Sequence, residues 1–172
     1  MNTTAAYPIG EFQIPESVTD QDRETAIATI ARLPEELGAL MDQMTPQDLD
    51  KTYREGGWSV RQVIHHLADS HMNALIRFKL AVTEDNPHVL GYDQAAWATH
   101  ADVQQVDVKA SLALLTGLHA RWAALLTSFG SREWQCTYYH LEYKRQWTMN
   151  EVVMLYAWHC QHHVQHIKNA LA

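Results

Sequence analysis

Basic residues are scarce in this chain. Thirteen Lys and Arg stand against 20 Asp and Glu, a formal net charge of −7 over 172 residues. With no cluster of lysines and arginines, there is no electrostatic footprint for nucleic acid or for an anionic membrane surface. No stretch approaches the roughly 18 consecutive apolar residues of a membrane span. Met1 to Gly10 has neither the basic start nor the apolar run of a signal peptide, so the expectation is a cytoplasmic protein. There are two cysteines, Cys136 and Cys160, in no CxxC or other zinc-type spacing, which argues against a disulfide framework or a thiolate metal site. Seven glycines, five prolines and a hydrophobic share of 47% argue against disorder and suit one globular domain over residues 1–172. Histidine alone is in excess, with eleven in the chain.

The apolar periodicity is helical almost throughout. After a proline-punctuated arm (Tyr7 to Pro15), the segment from Asp20 to Met44 places Ile27, Ile30, Leu33, Leu37, Leu40, Met41 and Met44 at spacings of three and four, one apolar stripe. Pro34 inside it is expected to kink or restart the helix, because proline removes a backbone donor and crowds the preceding turn. Thr45-Pro46 reads as an N-cap and first position of a short turn, and Gly56-Gly57 as a break. A second helix opens on the capping box Ser59/Gln62 and runs to Val82. Its apolar stripe is Val60, Val63, Leu67, Ala74, Phe78 and Ala81; His66, Ser70, Asn73 and Arg77 form a polar strip at the edge. Asn86 to Val108 reads as a long crossover loop with one short helical turn and with Tyr92 and Trp97 on it; loops of that length usually carry function. A third helix, Val108 to Phe129, ends at Gly130, expected as a left-handed cap. The aromatic-rich Trp134 to Trp147 reads as a short extended excursion or hairpin. The last helix starts at the capping box Thr148/Glu151, with Trp147 and Val152 as a hydrophobic staple. Four helices and one long crossover predict an all-α, four-helix-bundle architecture.

Four histidines fall on one side of the last helix: His159, His162, His163 and His166. His159 and His163 are one turn apart and lie within the stripe of Val152, Tyr156 and Ile167 that faces the core, with His166 and His162 at its edge. A single helical histidine is ordinarily a core or surface residue satisfied by common hydrogen bonds. An inward pair one turn apart is different, since each buried ring needs partners for two nitrogens and a metal supplies one. Two ligands do not complete a site. A third must come from another helix, and periodicity leaves His65, His66, His71, His119 and His140 all available.

The run from Gly57 and Trp58 through Ser59-Val60-Arg61-Gln62-Val63-Ile64-His65-His66-Leu67-Ala68-Asp69-Ser70-His71-Met72-Asn73, followed by Ile76-Arg77-Phe78-Lys79, closely resembles the YfiT-like branch of the DinB superfamily. The likeness extends to Tyr7-Pro8-Ile9-Gly10, to Tyr92-Asp93 with Trp97, and to Tyr156-Ala157-Trp158-His159 on to His166, and so covers essentially the whole chain. It implies a four-helix bundle, a homodimer, and one divalent ion per chain, zinc or nickel, held by His66, His159 and His163. The polar strip with Ser70, Asn73 and Arg77 would then be a wall of the site. The sequence departs from the branch at His140-Leu141, where relatives usually carry a His-Pro turn. The branch is described as one of candidate metal-dependent hydrolases, and the wider superfamily includes S-transferases of small thiols such as bacillithiol, mycothiol or glutathione.

Three neutral imidazoles leave a divalent ion its full charge and at least one open position, so that bound water or thiol is acidified. Hydrolysis of a small-molecule substrate is the first expectation, and S-transfer from a low-molecular-weight thiol to an electrophile the alternative. Hydrolysis needs a general base, and no Glu accompanies these histidines in an HExxH arrangement. Arg77 is a candidate for holding a carboxylate of substrate or thiol, although a helical arginine is ordinarily solvated. Asp69 is a candidate for orienting a ligand imidazole, or an ordinary surface charge. Two non-catalytic readings stand beside these: a metal that staples the helices, closed by a fourth ligand such as His162 or His140, and an interaction or stress-response scaffold in which the histidines are incidental.

Overall fold

The structure, a computed structural model, describes residues 4–172; residues 1–3 of the expected 1–172 domain lie outside it. Four long helices dominate: α1 (Asp20–Met41), α2 (Val60–Thr83), α5 (Val108–Thr127) and α7 (Met149–Leu171). Between them lie a 3₁₀ turn (Pro46–Asp50), a strand β1 (His88–Val89), three short helices α3 (Gln94–Trp97), α4 (Ala101–Gln105) and α6 (Ser131–Gln135), and strands β2 (Thr137–His140) and β3 (Arg145–Thr148). Among the described residues no helix is long and apolar enough to cross a membrane. Both cysteines are free thiols.

The starts of the helices are fixed by local chemistry. Both predicted capping boxes form: Ser59 Oγ accepts from Gln62 N–H while Gln62 Oε1 accepts from Ser59 N–H, and Thr148 with Glu151 does the same. Around the 3₁₀ turn Asp48 Oδ2 accepts from Thr45 N–H at 2.8 Å, with Pro46 at the first position.

Of the kink or restart expected at Pro34, the restart does not occur: α1 continues through it from Asp20 to Met41. The missing proline N–H leaves the Ile30 carbonyl without its helical donor, and His119 Nδ1 fills that role at 2.6 Å. Two ends fall earlier than the apolar pattern suggests, at Met41 and Thr127. Gly130 is not a left-handed cap; its φ of −93° is extended backbone, and it precedes α6 as N-cap.

In the bundle α1 packs on α5 and α7, and α2 packs on the same two. The sequential pairs α1/α2 and α5/α7 are therefore diagonal, unlike an up-and-down bundle in which each helix lies beside its successor. Ile30, Leu33 and Leu37 of α1, Leu67 and Phe78 of α2, Leu115 and Trp122 of α5, and Met149 and Ile167 of α7 fill the centre. The crossover is more ordered than a loop. Strand β1 pairs parallel with β2, and β2 pairs antiparallel with β3 in the register Tyr138 to Trp147 and His140 to Arg145. The His140-Leu141 departure thus sits at the end of β2, where a tight turn with Lys144 at φ 50° closes the hairpin. The crossover passes against that turn at Gly91, where an added Cβ would meet the Glu142 side chain and push its carboxylate aside.

Candidate metal centre

His66 projects from α2, and His159 and His163 from adjacent turns of α7. Candidate ligand atoms of the three lie within 4.8 Å of one another. The ring centroids are 5.4 Å apart for His66 and His159, 4.9 Å for His66 and His163, and 4.4 Å for His159 and His163. Nε2 of His66 faces Nε2 of His159 at 3.3 Å. Two tetrahedral ligands, each about 2.05 Å from zinc, would lie about 3.3 Å apart, so the spacing and the donor type fit a divalent ion. Burial holds the His66 imidazole down to about 4, and burial together with the neighbouring rings holds His159 and His163 well below the ordinary histidine range. Neutral imidazole is the form that ligates.

A second trio, His162, His163 and His166, also has ligand atoms within 4.8 Å of one another. It shares His163 with the first. His162 stacks on Trp158, centroids 4.3 Å apart, and its buried Nδ1 has no partner. His166 stacks on Tyr53 at 3.8 Å.

The other predicted histidines divide by location. His65 Nδ1 pairs with Ser111 Oγ at 2.8 Å, away from the trio. His71 and His119 are buried in the core and bonded to each other. His140, at the end of β2, is buried with Nδ1 unpartnered.

His159 and His163 stand in the wall of a cavity of about 560 Å³, the size of a small-molecule site. Its walls are largely aromatic: Tyr53, Trp58, Tyr92, Tyr138, Tyr143, Trp147, Tyr156 and Trp158. Of the polar strip on α2, Ser70 and Arg77 line it, whereas Asn73 turns its amide to the Asp69 carbonyl. Arg77 is half-buried, its Nη2 donates to the Leu90 carbonyl at 2.6 Å, and it makes no salt bridge among the described residues. Asp69 does not line the cavity or bond a ligand imidazole; its carboxyl, pushed up by burial and then by Asp102, looks towards α4. Tyr92 lines the cavity, and Trp97 supports it from behind with centroids 4.3 Å apart. His140, an expected candidate ligand, lines the cavity from the hairpin, as do Tyr138 and Trp147, for which aromatic density was the only signal in the sequence. Glu142 is the one carboxylate among the described lining residues, against Arg54 and Arg77.

Residues 20–167 match the DinB superfamily. YfiT of Bacillus subtilis (strain 168) is 43% identical over 162 residues, 94% of this chain and 91% of its own. A relative from Halalkalibacterium halodurans, provisionally named a metal-dependent hydrolase, is 42% identical over 165 residues, 96% of this chain and 95% of its own. The solved structure of YfiT, described as a probable metal-dependent hydrolase with an unusual four-helix bundle topology, superposes with a TM-score of 0.92 and covers 95% of this chain and 94% of its own.

Proposed function

The chain belongs to the DinB superfamily, and from that premise we propose that it is a divalent-metal-dependent hydrolase of a small molecule with an acidic end, its ion zinc or nickel held by His66, His159 and His163. The observation that supports this reading is the convergence of three imidazoles, two of which, His159 and His163, stand in the wall of a largely aromatic cavity that Arg77 also lines. When bound, a divalent ion held by imidazoles alone supplies a Lewis acid that acidifies a coordinated water or thiol near neutral pH. The remaining work falls to the chain. Arg77, with no carboxylate of its own, attracts an acidic group and fixes its direction. The aromatic walls bury the body of the substrate and keep bulk water out. Tyr92 Oη and Trp147 Nε1, buried without partners in the same walls, are free donors for a substrate oxygen, and the unpartnered Nδ1 of His140 or His162 can take up a proton.

A second reading, S-transfer from a small thiol, draws on one observation: among the described residues the cavity wall has no carboxylate other than Glu142 on the hairpin turn. Thiol attack needs no such base. The test is a panel of esters and amides, acidic and neutral, run beside thiol-electrophile pairs. The hydrolase reading expects metal-dependent cleavage of acidic members, abolished by chelation and restored by zinc or nickel. Conjugation of thiols without any cleavage would replace it with the second reading.

A further inference from the structure

The candidate ligands on α7 stand at the ends of two hydrogen-bonded files of imidazoles. In the first, the Ile30 carbonyl meets His119 Nδ1 at 2.6 Å, His119 Nε2 meets His71 Nδ1 at 2.8 Å, and His71 Nε2 meets His159 Nδ1 at 3.0 Å. In the second, the Ala6 carbonyl meets His166 Nε2 at 3.2 Å, and His166 Nδ1 meets His163 Nδ1 at 3.4 Å.

Each file can be polarised in one direction only. A carbonyl oxygen accepts and never donates, so the nitrogen facing it carries the hydrogen. A neutral imidazole has one N–H, so its other nitrogen accepts. Starting from Ile30, His119 donates from Nδ1 and accepts at Nε2, which makes His71 Nδ1 a donor and His71 Nε2 an acceptor. His159 Nδ1 must then donate. The lone pair of His159 is left on Nε2, the nitrogen that faces His66. Starting from Ala6, His166 donates from Nε2 and accepts at Nδ1, so His163 Nδ1 donates and Nε2 keeps the lone pair. The first file is anchored by Pro34, whose missing N–H leaves the Ile30 carbonyl free.

Resting on the metal reading above, we propose that His119, His71 and His166 are positioning residues that set His159 and His163 as Nδ1–H tautomers, each offering its Nε2 lone pair before an ion arrives. A ligating histidine is ordinarily oriented by a carboxylate or a single carbonyl. Here other imidazoles take that part, with a backbone carbonyl at the far end. The arrangement also accounts for the second trio without a second ion: His163 Nδ1 is hydrogen-bearing, and both nitrogens of His166 are already used. His66 differs. Because His159 cannot donate from Nε2, the 3.3 Å contact is a donation from His66 Nε2–H, and His66 is the ligand that must change tautomer when an ion binds.

The test is long-range ¹H–¹⁵N correlation of the histidine rings in the full-length, metal-free protein. The expected spectrum has Nδ1–H for His71, His119, His159 and His163, and Nε2–H for His166 and His66; zinc addition converts His66 alone. An Nε2–H form of His159 or His163 overturns the proposal, even if an ion binds. The expected tautomers without any zinc binding would leave the files standing and remove the metal reading. A second arm measures zinc affinity. His71→Leu removes the acceptor for His159 Nδ1 and is expected to weaken zinc binding by about 10–100-fold, whereas His71→Gln retains an acceptor oxygen and recovers most of it. Equal affinity in His71→Leu and the unmodified protein contradicts the positioning role.

Discussion

At the scale of single residues, eight of the eleven histidines gather at or behind the candidate site, as candidate ligands, as rings bonded to those ligands or as cavity lining, while His65, His88 and His100 lie elsewhere. The wheel of the last helix was enough to turn His159 and His163 inwards. It could not choose His66 over His71, and His71 does lie nearer the core. What separates the two is which partner each ring meets, and those partners are 48 to 93 residues away in sequence, beyond any periodicity. Titration follows from the same burial. His119 is pulled down to about 4 by desolvation, against an ordinary 6.5. The unfolded chain therefore takes up a proton that the native state refuses, and this contribution, full above about pH 6.5, is lost as pH falls towards 4. Denaturant unfolding at steps across that window should show stability falling with pH, and less steeply in His119→Gln. Arg77→Met should raise KM for an acidic substrate by about 10–100-fold, the loss of a charge-assisted bond of about 1.5–3 kcal/mol, with neutral analogues unaffected. Equal loss for both classes in steady-state kinetics would take the anion-holding role from Arg77.

At the scale of elements, helix starts were the most legible feature, since a capping box is written in residues three apart. Thr148→Ala should cost about 1 kcal/mol in denaturant unfolding, because it strips the capping hydroxyl from the start of the helix that bears His159, His162, His163 and His166; no change would mean the box contributes nothing there. Helix ends were less legible. Gly130 offered a glycine in the right place for a left-handed cap, yet the chain uses it to begin α6, since its backbone N–H bonds Glu133 three residues on. Pro34 signalled a kink or a restart; the helix does not restart there, and a buried donor on α5 satisfies the carbonyl it frees. The crossover and hairpin were read separately as loop and excursion; their pairing through Pro87 and Val89 carbonyls joins residues about fifty apart and has no local signature.

At the scale of the whole molecule, the fold class was readable from four stripes of apolar residues, but the diagonal placement of consecutive helices was not, because loop length alone favours neighbours. That placement is what sets α2 beside α7 and so gathers His66 with His159 and His163. An ion bound only by the packed pair stabilises the native state by mass action, about 2.7 kcal/mol at a hundredfold excess over Kd, or about 5–10 °C in Tm for a chain of this size. Thermal scans with and without a chelator check it, and coincident curves would mean the ion adds nothing to the fold. The most direct test of the site itself is elemental analysis of the purified protein and four variants. The account predicts one zinc or nickel per chain in the unmodified protein and in His65→Ala, and near-complete loss in His66→Ala, His159→Ala and His163→Ala. Full occupancy in His66→Ala, or two ions in the unmodified chain, would contradict it.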